Sequence, residues 1–113
     1  MRILAMTALT AFLATGAGAH SPVESTAPAS GSVVAGVPAE ISLSFAGGMR
    51  LTRVGMVYQD HGPVQLDLGD QTGFDRVFVL PLQNMGPGSY RIEWRGLGTD
   101  GHVMQGEFSF QAE

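Results

Sequence analysis

Apolar and polar positions alternate with period two over most of the chain. Ile41, Leu43 and Phe45 fall on one side of a segment whose other side is Ser42 and Ser44. Tyr90, Ile92 and Trp94 alternate with Ser89, Arg91, Glu93 and Arg95, and Phe108 and Phe110 alternate with Glu107, Ser109 and Gln111. Successive side chains of an extended strand point to opposite faces, so this pattern predicts strands with one buried and one wet face. Leu51 to Tyr58, Val64 to Leu68 and Phe74 to Leu80 are further strand candidates, and Val23 to Thr26 is a short edge segment. Turn signals separate them at Pro28-Ala29-Ser30-Gly31, Gly47-Gly48, Asp60-His61-Gly62-Pro63, Gly69-Asp70 and Gly86-Pro87-Gly88. About seven short strands with no helical interval predict an all-β domain, a β-sandwich of immunoglobulin-like type. The sixteen glycines and six prolines spread along the chain argue the same way, against long helices.

The first residues follow a different rule. Met1-Arg2 is a minimal basic start, Ile3 through Leu13 is a short apolar run, and small residues lead to Ala17-Gly18-Ala19. This order is that of a secretory signal peptide. The run is shorter than the roughly 20 apolar residues of a spanning helix. An uncleaved anchor or a disordered tail is the competing reading. The expected organisation is a signal peptide over residues 1–19 and one domain over residues 20–113. Cleavage after Ala19 leaves 94 of the 113 residues, with His20 first.

Composition then narrows the chemistry. The chain has no cysteine, which excludes zinc fingers, iron–sulfur clusters and blue-copper sites, each of which needs a thiolate. Ten acidic residues face six arginines and no lysine, and losing Arg2 with the leader moves the formal charge from −4 to −5. An acidic domain without a basic cluster is a poor nucleic-acid or anionic-membrane binder and attracts cations instead. No Ser-His-Asp set, catalytic carboxylate pair or phosphate loop stands out.

Two places carry candidate chemistry. At the expected new terminus, His20-Ser21-Pro22, a free α-amine and the imidazole Nδ1 of one residue can close a six-membered chelate ring. The amine ordinarily titrates near 7.7–8.0 (about), so a metal must displace a proton there. A histidine after a leader is uninformative by itself. The second place is Asp100-Gly101-His102. If the segment is extended, the carboxylate and the imidazole project from the same face. The competing reading is an ordinary Thr99-Asp100-Gly101 turn that His102 merely follows. Together the two places supply two imidazoles, one amine and one carboxylate. That set suits Cu(II), which tops the affinity order for such ligands, although zinc can use it in tetrahedral geometry. Three nitrogens in a T, two of them from one terminal residue, form a histidine brace. Asp100 is then either a further ligand or an acceptor that orients an imidazole.

At these residues the chain resembles the periplasmic copper-resistance proteins of the CopC type. His20-Ser21-Pro22 with Ser25-Thr26-Ala27-Pro28-Ala29-Ser30-Gly31-Ser32 looks like that family's opening, a terminal histidine followed by S-x-P-A-x-G-S. Tyr90-Arg91-Ile92-Glu93-Trp94-Arg95, then Asp100-Gly101-His102, Gly106, Phe108 and Phe110, resembles its close, Y-R-V-x-W-R followed by D-G-H-x-x-x-G-x-F-x-F. The resemblance covers nearly all of the chain after the leader. It implies a Greek-key β-sandwich of cupredoxin-like appearance, with one Cu(II) per mature chain on His20, Asp100 and His102. It further implies an exported, periplasmic, monomeric copper-binding protein of copper resistance or homeostasis. Such a protein exchanges its metal with a membrane copper transporter or a cuproenzyme.

Two departures bear on the site. Members often carry an acidic residue where this chain has Ala46, and some carry a methionine-rich loop for Cu(I). Here Met49, Met56, Met85 and Met104 are scattered and His61 stands alone in an expected turn. Met104 shares strand parity with His102, which places it either beneath the metal or in the core. Arg95 and Glu24 are candidates either for a pair near the site or for plain exposed positions. The competing function is a copper-dependent oxidase or monooxygenase. A histidine brace is also the site of lytic polysaccharide monooxygenases, but 94 residues leave little flat surface and Asp100 obstructs an open coordination position.

Overall fold

The structure, a computed structural model, describes residues 22–113. The expected leader, residues 1–19, and His20 lie outside the described residues. Within them the chain forms seven strands and no helix: β1 (Val23–Ala27), β2 (Ser32–Val34), β3 (Glu40–Tyr58), β4 (His61–Gln65), β5 (Asp75–Pro81), β6 (Gly88–Gly98) and β7 (Val103–Ala112). The all-β class and the number of strands agree with the alternation.

The long strand β3 organises the molecule. Its first half pairs antiparallel with β1 on one side and β5 on the other, as in Thr26↔Leu43 and Leu43↔Phe78. Its second half pairs with β6 and β4, as in Val54↔Trp94 and Met56↔Val64. β6 continues to β7, and β7 to the short parallel strand β2. One strand therefore passes from a layer β1–β3–β5 into a second layer β4–β3–β6–β7–β2.

Gly47-Gly48 was expected to be a turn between two strands, and the structure corrects this. Both glycines lie inside β3, at the point where its register against β5 shifts between Ser44 and Met49. A side chain at Gly48 would stand 2.9 Å from the Thr99 methyl group, so the absence of one lets β3 run close under the β6–β7 loop. His61 is corrected as well. The turn is Gln59-Asp60, and His61 opens β4 opposite Tyr58, with the two rings stacked at 6.5 Å.

The inward positions form one core. Ile41, Leu43 and Phe45 of β3, Phe78 and Leu80 of β5, Tyr90, Ile92 and Trp94 of β6, and Phe108 and Phe110 of β7 are all buried. The layers meet where Phe45 sets its edge against Trp94, with centroids 5.1 Å apart and planes at 78°. Such edge-to-face contacts contribute about 0.5–1.5 kcal/mol beyond the area they bury. Tyr90 is buried to its hydroxyl, which accepts from the Met85 N–H at 3.0 Å and donates to the Gly86 carbonyl at 2.7 Å. No hydrogen-bonding capacity is lost there, as burial of a phenol requires.

Candidate metal site at the β6–β7 turn

The β6–β7 connection is built by a few backbone bonds. Gly98 N–H donates to the His102 carbonyl at 3.0 Å, and Gly101 N–H donates to the Gly98 carbonyl at 2.9 Å. Gly101 has φ +86°, a left-handed conformation that favours glycine, so the middle residue of the triplet is fixed by the turn. The Asp100 carboxylate folds back over this turn. Its Oδ1 accepts the His102 backbone N–H at 3.0 Å, and its Oδ2 lies 2.8 Å from His102 Nδ1.

The triplet is thus the turn that was one of its two readings, and not an extended segment with both side chains on one strand face. The two groups meet all the same, because an aspartate at this turn position reaches the backbone and side chain two residues on. Both side chains are open to solvent, His102 at 80% and Asp100 at 61%. Each shifts the other. The Asp100 hydrogen bond and charge hold the His102 imidazole above its usual 6.5. The hydrogen bonds from His102 hold the Asp100 carboxyl below its usual 3.8.

A shallow depression of about 230 Å³ adjoins Asp100, lined also by Pro22, Gly48, Met49, Thr99 and Met104. Pro22, the first described residue, is anchored there by its carbonyl, which accepts the Ala46 N–H at 2.9 Å. Ala46 therefore contributes a backbone donor at the position where an acidic side chain was noted as missing. Gly98 was not singled out from the sequence. A side chain on it would meet Asp100 Oδ1 at 3.2 Å and Met104 Cε at 3.3 Å. Nothing in a lone glycine at a strand end distinguishes that role from an ordinary hairpin.

The remaining sequence candidates separate cleanly. Met49 and Met56 are core residues, Met85 is exposed, and Met104 is half-buried against the core while also lining the depression. Arg95 and Glu24 are both exposed and form no ion pair with each other; among the described residues the ion pairs are Arg91–Glu93 and Asp100–His102. Among the described residues no group of three or more His, Asp or Glu side chains is gathered in metal-binding proximity. At this turn the described residues bring together one imidazole and one carboxylate.

A two-layer β-sandwich with an exposed histidine–carboxylate pair on a hairpin turn beside the entry of the first strand defines the class. The chain belongs to the CopC domain family, whose model matches residues 23–113. It is 31% identical over 102 residues to copper resistance protein C of Escherichia coli, covering 81% of this chain and 80% of that one. It is 28% identical over 106 residues to copper resistance protein C of Pseudomonas syringae pv. tomato, covering 86% and 83%. Among solved structures the fold is similar to CopC from Methylosinus trichosporium OB3b, with TM-score 0.67 and 23% identity over 83% of this chain and 94% of that one. It is also similar to PcoC, a methionine-rich copper resistance protein from Escherichia coli, with TM-score 0.56 and 25% identity over 83% and 99%.

Proposed function

We propose that the chain is exported to the periplasm, is trimmed to begin at His20, and there holds one Cu(II) with His20, Asp100 and His102. It sequesters or carries the metal and catalyses no reaction. Copper as the ligand is supported by the family and by the curated relatives, which are named copper resistance proteins. The observation that carries the placement is the anchoring of Pro22 beside Asp100. His20 lies two residues before it, and two extended residues span at most about 7 Å. The amine and imidazole of a trimmed terminus are therefore tethered within reach of the hairpin turn.

The geometry also favours one of the two roles open to Asp100. With Nδ1 of His102 donating to Asp100, Nε2 is the nitrogen left for the metal. A carboxylate behind a ligating imidazole fixes its ring and tautomer and raises its basicity. Asp100 thus acts first as the orienting acceptor. Holding the metal with a brace and an oriented second imidazole suits sequestration.

The test is the intact mass of the exported protein together with a copper titration. The expected mass lacks residues 1–19, and one Cu(II) binds per chain with a tetragonal paramagnetic spectrum. His102→Ala loses the tight binding while keeping the fold, because its side chain is exposed. An exported chain that begins elsewhere, or a His102→Ala variant with undiminished affinity, overturns the assignment.

A further inference from the structure

Among the described residues, part of β7 has an open edge. In the β6–β7 ladder Gly96 faces Met104, Trp94 faces Gly106 and Ile92 faces Phe108, and the Gly98–His102 bond fixes which residues exchange backbone bonds. Even-numbered residues of β7 bond to β6, and odd-numbered ones present N–H and C=O to the other side. Ser109 shows this directly, since its carbonyl accepts the Gly31 N–H at 2.7 Å. β2 covers only Phe110 to Ala112. Val103, Gln105 and Glu107 are left with outward backbone groups that pair with no strand among the described residues. The β6–β7 register runs from Gly88 to Ala112 without a shift, so no bulge blunts this edge. Exposed edges of this kind are templates for strand addition.

The edge borders a groove of about 420 Å³ whose opposite wall is β1, from the other layer. Trp94 and Phe108 form its apolar floor, Glu24 stands on the β1 wall, and Glu107 lies on the β7 edge with its side chain on the wet face opposite Phe108. Both carboxylates are exposed and neither is in an ion pair among the described residues. Gly106 keeps the floor open. A side chain there would come within 2.9 Å of the indole, so a bare backbone passes over the ring. The volume falls in the range of about 300–1,000 Å³ typical of ligand clefts.

We propose that this groove binds an extended segment of a partner protein. The segment adds to β7 as a strand, sets apolar side chains at alternate positions over Trp94 and Phe108, and carries lysine or arginine to meet Glu24 and Glu107. Backbone pairing supplies affinity and the alternate side chains supply selectivity. Charge selects the occupant. A second copy of this chain, acidic overall, brings like charge, whereas a basic strand neutralises both carboxylates. The groove adjoins the β6–β7 turn, since Pro22 lines both it and the depression beside Asp100 and Val103 directly follows His102.

The test uses the exported protein and a seven-residue acetylated, amidated peptide of alternating valine and threonine flanked by lysines. Amide chemical shifts and hydrogen exchange are followed by NMR. Saturable shifts and slowed exchange at Gln105 and Glu107 are expected. They should vanish with the same peptide N-methylated at alternate positions and weaken at least tenfold when glutamates replace the lysines. The double variant Glu24→Lys, Glu107→Lys should reverse the charge preference. Gln105→Pro should keep the native spectrum, because its N–H points away from β6, and should lose the peptide. Binding that survives N-methylation, no shift at these amides at millimolar peptide, or peptide-free protection that rises with protein concentration each overturns the proposal. The last outcome would assign the edge to a second copy.

Discussion

Asp100 and His102 act on each other through a 2.8 Å contact, and their exposure sets how that contact can be read. Exposed pairs add little to folding stability, so the useful consequence concerns protons and metal. The His102 contribution to stability is present below its unfolded value near 6.5 and fades as pH rises through the raised folded value. The Asp100 contribution is present above 3.8 and fades as pH falls through the lowered folded value. The pair is therefore fully charged between these limits. A metal on His102 must displace the Nε2 proton of the imidazolium, the form that Asp100 favours, so copper affinity should drop as pH is lowered from 7.5 to 5.5, measured by competition with a chelator of known pH dependence. Asp100→Asn should bring the His102 titration in NMR back toward 6.5. It should also weaken copper binding by about 10–100-fold, the usual effect of losing an orienting carboxylate. The triplet was legible in the sequence, but its geometry was not. The sequence left an extended segment and a turn both open, and a left-handed Gly101 with a folded-back carboxylate brings the groups together.

Among the elements, β3 and β5 show what alternation can and cannot convey. The period of two located the inward residues at the start of β3, since it records which face is buried, but in β5 the run Val77-Phe78-Val79-Leu80 is apolar throughout and carries no such mark. It did not show that Gly47-Gly48 lies within one continuous strand, because two glycines have the same composition in a turn and in a strand that changes partners. β2 was likewise invisible, three residues held in a parallel pair by contacts with the far end of the chain. The outer side of β5 carries the exposed Val77 and Val79, near the exposed Phe74. Its edge is closed at Val79 by the Gln71 side chain, which accepts the Val79 N–H at 3.0 Å and donates to the Val79 carbonyl at 2.8 Å. Gln71→Ala uncovers one N–H and one C=O beside apolar side chains. It should raise the rate of aggregation near the melting transition, checked by light scattering during thermal unfolding, while leaving copper binding unchanged.

At the scale of the molecule, a core of aromatic and aliphatic side chains holds two layers together without disulfides, and the proposed metal site at the β6–β7 turn lies beside it. If copper binds the folded chain and not the unfolded one, it must stabilise the fold. Free Cu(II) at 100 times its dissociation constant should add about 2.7 kcal/mol. For a domain near 100 residues this raises the melting temperature by roughly 10–20 °C, on the scale of about 4–8 °C per kcal/mol. A calorimetric or circular-dichroism melt that copper leaves unmoved contradicts native-state binding.

Alternation of side chains, an effect of local backbone geometry, was enough to determine the all-β class and the buried face of β6, β7 and the start of β3, and composition determined the types of donor available for a metal. Those properties belong to each segment separately. The path of β3 between layers, the pairing of β2 with β7, the placing of Pro22 beside Asp100 and the open β7 edge over Trp94 were decided by tertiary structure alone. Each depends on residues tens of positions apart sharing space, which no local period encodes.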